Sequence, residues 1–169
     1  MKIISTIISI LVLSLMGSVS AKADRLDDVI SSGELRCGVM LDVPPVGMRD
    51  GDNNPIGFDV EFCKDMAAAL DVEPVFVETP GPDRIPAILS GRVDIGIASA
   101  TASLERAKSV AFSIPYQIWD LGVAVAADDS SINSYEDLKN KKVGTVRSTS
   151  GEAAVIDELK SWGNEVISY

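Results

Sequence analysis

The sequence predicts an α/β fold of parallel βαβ units, because apolar runs of strand type alternate with segments of helical periodicity. A short amphipathic helix is predicted at 25–31, and strand-like runs follow at 34–40, 74–77 and 93–97. The clearest helix between them is 58–70, where apolar residues recur at helical spacing and predict one buried face. Successive strands joined in this way pair in parallel, because the helix carries the chain back to the start of the next strand.

Capping and turn residues predict the structure of the remaining segments in the first part of the chain, up to residue 110. A short helix is predicted at 82–89, whose two prolines are tolerated because they fall in its first turn. A further helix is predicted at 103–110, since Ser103 suits the N-cap and Glu105 sits near the positive end of the helix dipole. The segment 42–55 carries three prolines and two glycines, so we expect a long loop there.

A second series of elements follows an apolar, extended segment at 117–127. After a turn at 128–131, the predicted elements are a helix at 134–139, a strand at 142–146, a helix at 151–162 and a strand at 165–168. Two strands are too few to bury a sheet on both faces, so we expect the sequence to stop inside a second lobe. The expected division is a first lobe at 24–118, a hinge or crossover strand at 119–127 and a partial second lobe at 128–169.

The first 23 residues are typical of a cleaved export signal. Lys2 provides a positive start, 3–16 is mostly apolar, and Ala21 and Ala23 are the small residues that a signal peptidase requires. The apolar stretch is shorter than the ~20 residues of a spanning helix. No cysteine lies near the predicted cleavage site after Ala23, so we expect a periplasmic protein and not a lipoprotein.

Charge and composition exclude several functions. The formal net charge is −10, and removal of the signal takes away Lys2 and Lys22 but no acid, which leaves −12. A surface this acidic argues against nucleic acid or an anionic membrane as a partner. The sequence contains no histidine, so it lacks every imidazole-based triad and the commonest metal ligand, and we expect neither catalysis nor a metal or other cofactor.

The two cysteines allow two interpretations. Cys37 lies in a predicted central strand and Cys63 on the apolar face of the following helix. An oxidising compartment would permit a disulfide between them. Because cysteine is often simply buried, however, two buried free thiols are the favoured prediction.

Two clusters of hydroxyl side chains follow predicted strands. Ser99, Thr101 and Ser103 alternate after the strand at 93–97, and Arg106 lies one helical turn further on. Ligands of open α/β sheets bind at the carboxyl ends of the strands, and a guanidinium matches a carboxylate there. Taken alone, this spacing is better explained by a capped surface helix with a solvated arginine.

The second cluster is Ser148, Thr149, Ser150 and Gly151, which lie between a predicted strand and the start of a helix. Hydroxyls and free N–H groups at a helix start can receive a carboxylate. Taken alone, this pattern is better explained by an ordinary capped helix start. The sequence has no glycine fingerprint for a dinucleotide and no phosphate-binding loop with its lysine.

Eight ordered motifs resemble the family 3 extracellular solute-binding proteins, the polar-amino-acid receptors of ABC importers. The motifs are 33–39 (GELRCGV), 44–45 (PP), 57–60 (GFDV), 84–87 (RIPA), 90–94 (SGRVD), 105–108 (ERAK), 112–116 (FSIPY) and 137–144 (DL before VG). They run in order over essentially all of the predicted mature chain. The resemblance implies the periplasmic-binding-protein type II fold, in which two α/β lobes close on an amino acid.

Carried over by position, the resemblance assigns a role to each hydroxyl cluster. Arg106 would bind the α-carboxylate, and Thr101 and Ser99 would add bonds to the carboxylate and ammonium groups. Thr149 and Ser150 would meet the carboxylate from the second lobe. The implied partners are an amino acid, as a small-molecule ligand, and the membrane permease of an ABC importer, and the protein is expected to be a monomer.

Departures from the family pattern concern the ligand's side chain. Val43 and Gly81 occupy positions where family members usually place aromatic walls, which predicts a roomier pocket. Asp42, Asp83 and Asp120 are candidate side-chain selectors, although each also suits an ordinary loop or cap position. Two other functions are compatible with this fold: a periplasmic enzyme resembling cyclohexadienyl dehydratase and the ligand-sensing domain of a signalling protein.

Overall fold

The computed structural model describes residues 24–169, so the predicted export signal at 1–23 lies outside the described residues. In chain order the helices and strands are α1 (Arg25–Ser32), β1 (Glu34–Val39), β2 (Met48–Arg49), β3 (Pro55–Ile56), α2 (Phe58–Ala69), β4 (Glu73–Glu78), α3 (Arg84–Leu89), β5 (Ile95–Gly96), β6 (Lys142–Thr145), α4 (Ser150–Ser161) and β7 (Glu165–Ser168). Single turns of 3₁₀ helix lie at Gly81–Asp83, Arg106–Lys108 and Tyr135–Leu138.

The first half is built on a three-stranded parallel sheet in which β1 is central. The strand order is β4-β1-β5, and Cys37 in β1 pairs with Phe76 on one side and Ile95 on the other. Helix α2 packs on this sheet, and the core that they enclose consists of Val29, Leu35, Cys37, Val39, Cys63, Ala67 and Ile97. Parallel strands connected by helices confirm the predicted α/β class.

A paired arginine holds β5 beside β1. Arg36 donates from Nε to Asp94 Oδ2 at 2.9 Å and from Nη2 to Asp94 Oδ1 at 2.6 Å, and its backbone N–H also donates to Asp94 Oδ2 at 2.9 Å. Only 5% of the Asp94 side chain is exposed. A buried carboxylate needs such partners. This bidentate ion pair therefore fixes the position at which β5 joins the sheet.

A second βαβ unit is formed by β6, α4 and β7. The two strands pair in parallel from Lys142 with Glu165 to Thr145 with Ser168. Leu159 of α4 is fully buried beneath them. Asn164 joins the end of the unit to the preceding turn, since its side-chain amide donates to the carbonyls of Leu138 and Lys141.

Four segments differ from their predictions. The helix predicted at 134–139 is only the 3₁₀ turn at Tyr135–Leu138. The helix predicted at 103–110 is wrong: the chain forms only the turn at Arg106–Lys108, because it offers no apolar face to the sheet and Leu104 is 90% exposed. The predicted loop at 42–55 contains the antiparallel hairpin of β2 and β3. The extended segment at 117–127 forms no paired strand with the part of the chain that the structure describes.

The favoured prediction of two free thiols is also wrong, because Cys37 and Cys63 form a disulfide. Both residues lie where the sequence predicts them, on β1 and on the buried face of α2, and both are fully buried. The packing of α2 on β1 brings their Cα atoms to 6.3 Å, within the range that a disulfide bridges. Among residues 24–169, no helix has the length and apolar character needed to cross a membrane.

Removing the disulfide should lower stability without changing the fold. The bridge joins residues separated by 26 positions, and a closed loop of that size contributes about 3 kcal/mol by restricting the unfolded chain. We expect the Cys37→Ala/Cys63→Ala variant to lose about that free energy of unfolding in urea denaturation. Dithiothreitol should destabilise the wild type and leave the variant unchanged. If reduction does not change the free energy of unfolding of the wild type, the disulfide is contradicted.

Candidate ligand-binding site

The site begins where the chain leaves β5, at the carboxyl edge of the sheet. Ile97 still donates its N–H to the Gly38 carbonyl at 2.8 Å, and the chain then turns sharply at Ser99, whose φ is 50°. The Ser99 carbonyl accepts a hydrogen bond from Arg84 Nη1 at 3.2 Å. A non-glycine residue in the left-handed region is strained, so contacts from outside must hold this corner.

Arg106 links the two hydroxyl clusters. Its Nη1 donates to the Thr101 carbonyl at 2.8 Å, and its Nη2 donates to the Ser148 carbonyl at 2.8 Å. Ser103 helps to position the backbone of Arg106, because its hydroxyl accepts the Arg106 backbone N–H at 3.2 Å. One guanidinium therefore spans segments that are more than forty residues apart in the sequence.

The hydroxyl side chains of the two clusters also meet directly. Thr101 Oγ1 and Ser150 Oγ lie 3.0 Å apart in a hydrogen bond that either atom can donate. On another side of the same region, a Cβ atom at Gly81 would lie 3.5 Å from the Arg147 carbonyl. The structure thus brings Arg106, Thr101 and Ser150 together, with Gly81 beside the segment that carries Ser150.

The main role of the Thr149 hydroxyl is to cap α4. Its hydroxyl accepts the Glu152 N–H at 3.2 Å and donates to the Val146 carbonyl at 2.7 Å. The Glu152 carboxylate returns to accept the Ser148 N–H at 3.0 Å, which satisfies a further donor at the helix start. The single hydroxyl proton of Thr149 is used within the protein, whereas the hydrogen bond between Thr101 and Ser150 uses only one of their two hydroxyl protons.

The candidate side-chain selectors lie in different surroundings. Val43 is half-buried and forms an isolated bridge with Gly47, whereas Asp42 and Asp120 are exposed. Asp83 Oδ2 lies 3.5 Å from Arg92 Nη2 in an exposed ion pair. Of the three acids, Asp42 is the one that acts electrostatically on a buried residue of the site, Arg84.

A buried charged cluster beneath the Ser99 corner was missed at the sequence level. Asp59 is fully buried in the first turn of α2, and its Oδ1 accepts the Tyr116 hydroxyl at 3.3 Å. Burial raises the pKa of Asp59 from 3.8 to about 6, although Tyr116, the Ser99 backbone amide and Arg84 oppose this shift. The available signal was a carboxylate between the apolar residues Phe58 and Val60 in the GFDV motif.

Arg84 is the cationic member of this cluster. It is 8% exposed, and its Nη2 contacts the Met40 sulfur while its Nη1 holds the Ser99 carbonyl. Burial lowers the pKa of Arg84, and repulsion from Arg106 lowers it further, whereas Asp42 and Asp59 raise it. Two guanidinium groups and a buried carboxylate therefore lie close together at the edge of the sheet.

Residues 35–167 match the bacterial extracellular solute-binding proteins, family 3. The chain belongs to this family. The resemblance inferred from the eight motifs is confirmed. A family 3 assignment also accounts for the position of the site, because ligands of open α/β sheets bind at the carboxyl ends of the strands.

Three relatives and one solved structure show how the chain compares with known proteins. L-cystine-binding protein TcyJ from Escherichia coli (strain K12) is 34% identical over 138 residues, covering 80% of this chain and 52% of that protein. An L-arginine-binding protein from Pseudomonas aeruginosa is 27% identical over 157 residues, covering 93% and 61%. Cyclohexadienyl dehydratase from Pseudomonas aeruginosa is 33% identical over 99 residues, covering 59% and 37%.

The solved structure is that of the ancestral amino acid-binding protein AncCDT-1, a precursor of cyclohexadienyl dehydratase. It aligns with a TM-score of 0.80 and 32% identity, covering 86% of this chain and 65% of that one. This likeness confirms the predicted periplasmic-binding-protein type II fold. The chain spans about half the length of the cystine-binding relative and less than two thirds of each of the others.

The buried Asp59 should leave a signature in the pH dependence of stability. Its pKa is about 6 in the folded protein against an ordinary 3.8, so folding favours the protonated carboxyl. Its contribution is therefore most favourable below about pH 4 and declines by about 1 to 3 kcal/mol as the pH rises to about 6. Urea unfolding from pH 3.5 to 7.5 measures this change as the difference between the wild type and Asp59→Asn.

Asp65→Asn provides the matched control, because Asp65 is an exposed acid on the same helix. The transition near pH 6 that is assigned to Asp59 should be retained in this variant. A flat difference for Asp59→Asn would show that Asp59 titrates as it does in the unfolded chain.

Proposed function

We propose that this protein binds an amino acid through its α-carboxylate at Arg106, in the periplasm, and delivers it to the permease of an ABC importer without chemical change. The observation that carries the proposal is the bridge from Arg106 to the carbonyls of Thr101 and Ser148. This bridge holds the guanidinium in one orientation at the edge of the sheet. A fixed planar fork is what a carboxylate binds with two parallel hydrogen bonds.

Donors remain for a ligand after these internal bonds are formed. A guanidinium has five N–H groups, and the two bonds of Arg106 to backbone carbonyls leave three. The hydrogen bond between Thr101 and Ser150 uses one hydroxyl proton and leaves the other free to donate. These groups come from both hydroxyl clusters, so a carboxylate placed between them would be bound from two sides.

Ser99 and Thr149 have smaller roles in the proposed binding. The Ser99 hydroxyl oxygen is buried without a hydrogen-bond partner among residues 24–169, so it is available to an ammonium or carboxylate group. The Thr149 hydroxyl already donates to Val146, so this residue would act by capping α4 and by orienting its first N–H groups. Those N–H groups lie at the positive end of the helix dipole, which favours an anion.

The proposed function also involves a division of the chain into two lobes. We assign a first lobe to 24–118, a crossover to 119–127 and part of a second lobe to 128–169. A ligand that contacts both lobes only when they are closed would shift the population toward the closed shape that a permease recognises. The names of the cystine-binding and arginine-binding relatives support an amino-acid ligand.

Replacing Arg106 should remove most of the affinity. We expect Arg106→Ala to weaken binding by ~2 to 5 kcal/mol, which is at least about 30-fold, because the ligand carboxylate would face neutral partners. Isothermal titration with L-cystine and a panel of the common L-amino acids measures the effect. Arg106→Lys should recover only part of the affinity, since an ammonium lacks the planar fork.

Lys108→Ala is the control for loss of a nearby positive charge. Lys108 is exposed and pairs with Glu105 at 2.5 Å, away from the bridge that Arg106 forms. This variant should bind like the wild type. Equal affinity of Arg106→Ala and the wild type for the same amino acid would refute the assignment.

A second candidate function is supported by the likeness to cyclohexadienyl dehydratase. An enzyme on this fold needs an acid or base within hydrogen-bond reach of the substrate. Asp59 has the required pKa, about 6, but it lies beneath the Ser99 corner and is bonded to Tyr116. The geometry therefore favours binding over catalysis.

An assay with prephenate separates the two functions. If the protein only binds its ligand, incubation with prephenate should leave the substrate unchanged beyond its spontaneous loss, as followed by absorbance. Loss that depends on protein concentration and is abolished in Arg106→Ala would support the dehydratase instead. Boiled protein serves as the control for non-enzymatic decay.

A further inference from the structure

Ser148 lies in a tight turn between β6 and α4. The Thr149 N–H donates to the Val146 carbonyl at 3.3 Å, which closes the turn over residues 146–149. Ser148 occupies the third position of this turn and has a φ of 63°. Glycine is preferred at that position when φ is positive, and the left-handed conformation is strained for serine. Contacts from other residues must therefore hold Ser148 in this conformation.

Glu152 provides such a contact from the first turn of α4. Its Oε2 accepts the Ser148 N–H at 3.0 Å, and its Oε1 accepts the Thr145 hydroxyl at 3.2 Å. Its own backbone N–H donates to Thr149 Oγ1 at 3.2 Å. The residue is half-buried and is held between the end of β6 and the start of α4. Both carboxylate oxygens of Glu152 are therefore used to fix the turn.

Ser148 connects this carboxylate to Arg106. The Ser148 N–H is bonded to Glu152, and the Ser148 carbonyl accepts a hydrogen bond from Arg106 Nη2 at 2.8 Å. The backbone dihedral angles of Ser148 set the angle between its N–H and its carbonyl. A change in the conformation of Ser148 would therefore move the carbonyl away from the guanidinium that it orients.

We propose that Glu152 is a positioning residue, which holds Ser148 in its left-handed conformation and thereby keeps the Ser148 carbonyl in place to orient Arg106 toward the ligand carboxylate. Glu152 acts through Ser148, because both of its carboxylate oxygens are bonded within its own βαβ unit. The inference rests on the proposed amino-acid binding at Arg106 for its affinity measurement. The link from Glu152 to Arg106 can be tested without a ligand.

The negative charge of Glu152 distinguishes positioning from a direct electrostatic effect. Glu152 is an acid beside the loop at which the ligand carboxylate would bind, so its charge alone repels the ligand. If charge were its only contribution, Glu152→Met and Glu152→Gln would both bind more tightly than the wild type. If Glu152 acts through Ser148, methionine should weaken binding because it offers no strong acceptor. Glutamine should retain most of the affinity, since its amide oxygen still accepts the Ser148 N–H.

Nuclear magnetic resonance of the ¹⁵N-labelled protein tests the link without a ligand. Ser148 is exposed, so slow hydrogen exchange of its amide reports the bond to Glu152. We expect slow exchange in the wild type and in Glu152→Gln, and exchange that is about 10-fold faster or more in Glu152→Met and Glu152→Ala. The Arg106 Nη resonances should be resolved while both nitrogen atoms are bonded and should merge in these two variants.

Asp157→Asn is the matched control, because Asp157 is an exposed acid on the same helix. This variant should show the exchange rate and the Arg106 resonances of the wild type. Unchanged exchange at Ser148 in both Glu152→Met and Glu152→Ala would overturn the proposal. Arg106 resonances that stay resolved in both variants would overturn it as well.

Isothermal titration with the tightest-binding amino acid of the panel tests the consequence for binding. Glu152→Met and Glu152→Ala should bind about 5- to 20-fold more weakly than the wild type. Glu152→Gln and Asp157→Asn should bind within about 2-fold of the wild type. Tighter binding by both Glu152→Met and Glu152→Gln would show that the charge acts directly and would refute the positioning role.

A substitution at Ser148 tests the route of the effect. Glycine adopts a positive φ without strain, so the turn should depend less on Glu152 when Ser148 is replaced by glycine. Adding Glu152→Ala to Ser148→Gly should therefore cost less affinity than Glu152→Ala costs in the wild type. Equal losses in the two backgrounds would contradict a route through Ser148. If no amino acid binds to the wild type, the proposed function fails, while the resonance experiment still decides whether Glu152 orients Arg106.

Discussion

The pairing of β1 with both of its neighbours is the constraint on which the site depends. Because β4 and β5 run parallel to β1, the carboxyl ends of all three strands lie at one edge. The Arg36–Asp94 pair fixes where β5 enters the sheet, and the Cys37–Cys63 bridge fixes α2 against β1. The Ser99 corner follows β5 and the buried Asp59 lies on α2. The positions of both residues are therefore fixed by elements that are each attached to β1.

The sequence predicted the elements whose stability comes from burial. β1 and α2 are found close to their predicted bounds, since each buries a continuous apolar face that has a clear period. The segment 103–110 shows the opposite case. Ser103 does bond to the Arg106 N–H as a cap should, yet without an apolar face a capped start does not extend into a helix.

The buried charges and the disulfide could not be predicted because they depend on distances between elements. Cys37 and Cys63 were placed correctly on strand and helix, but only the packing of α2 on β1 shows that their Cα atoms come within 6.3 Å. Asp59 and Arg84 were visible as members of motifs. Spacing along the chain does not reveal that both face the Ser99 corner, because they reach it from two different helices.

The electrostatics of the edge support the proposal that this site binds an anion. Arg84 is buried, which already lowers its pKa, and Arg106 adds repulsion from the side of the hydroxyl clusters. Within the described residues, Asp42 and Asp59 offset part of this positive charge, and Asp59 itself has a raised pKa of about 6. A ligand carboxylate bound at Arg106, as proposed, would add negative charge beside Arg106 and reduce the repulsion between the two guanidinium groups. The repulsion between Arg84 and Arg106 therefore supports a carboxylate over a neutral ligand in the proposed site.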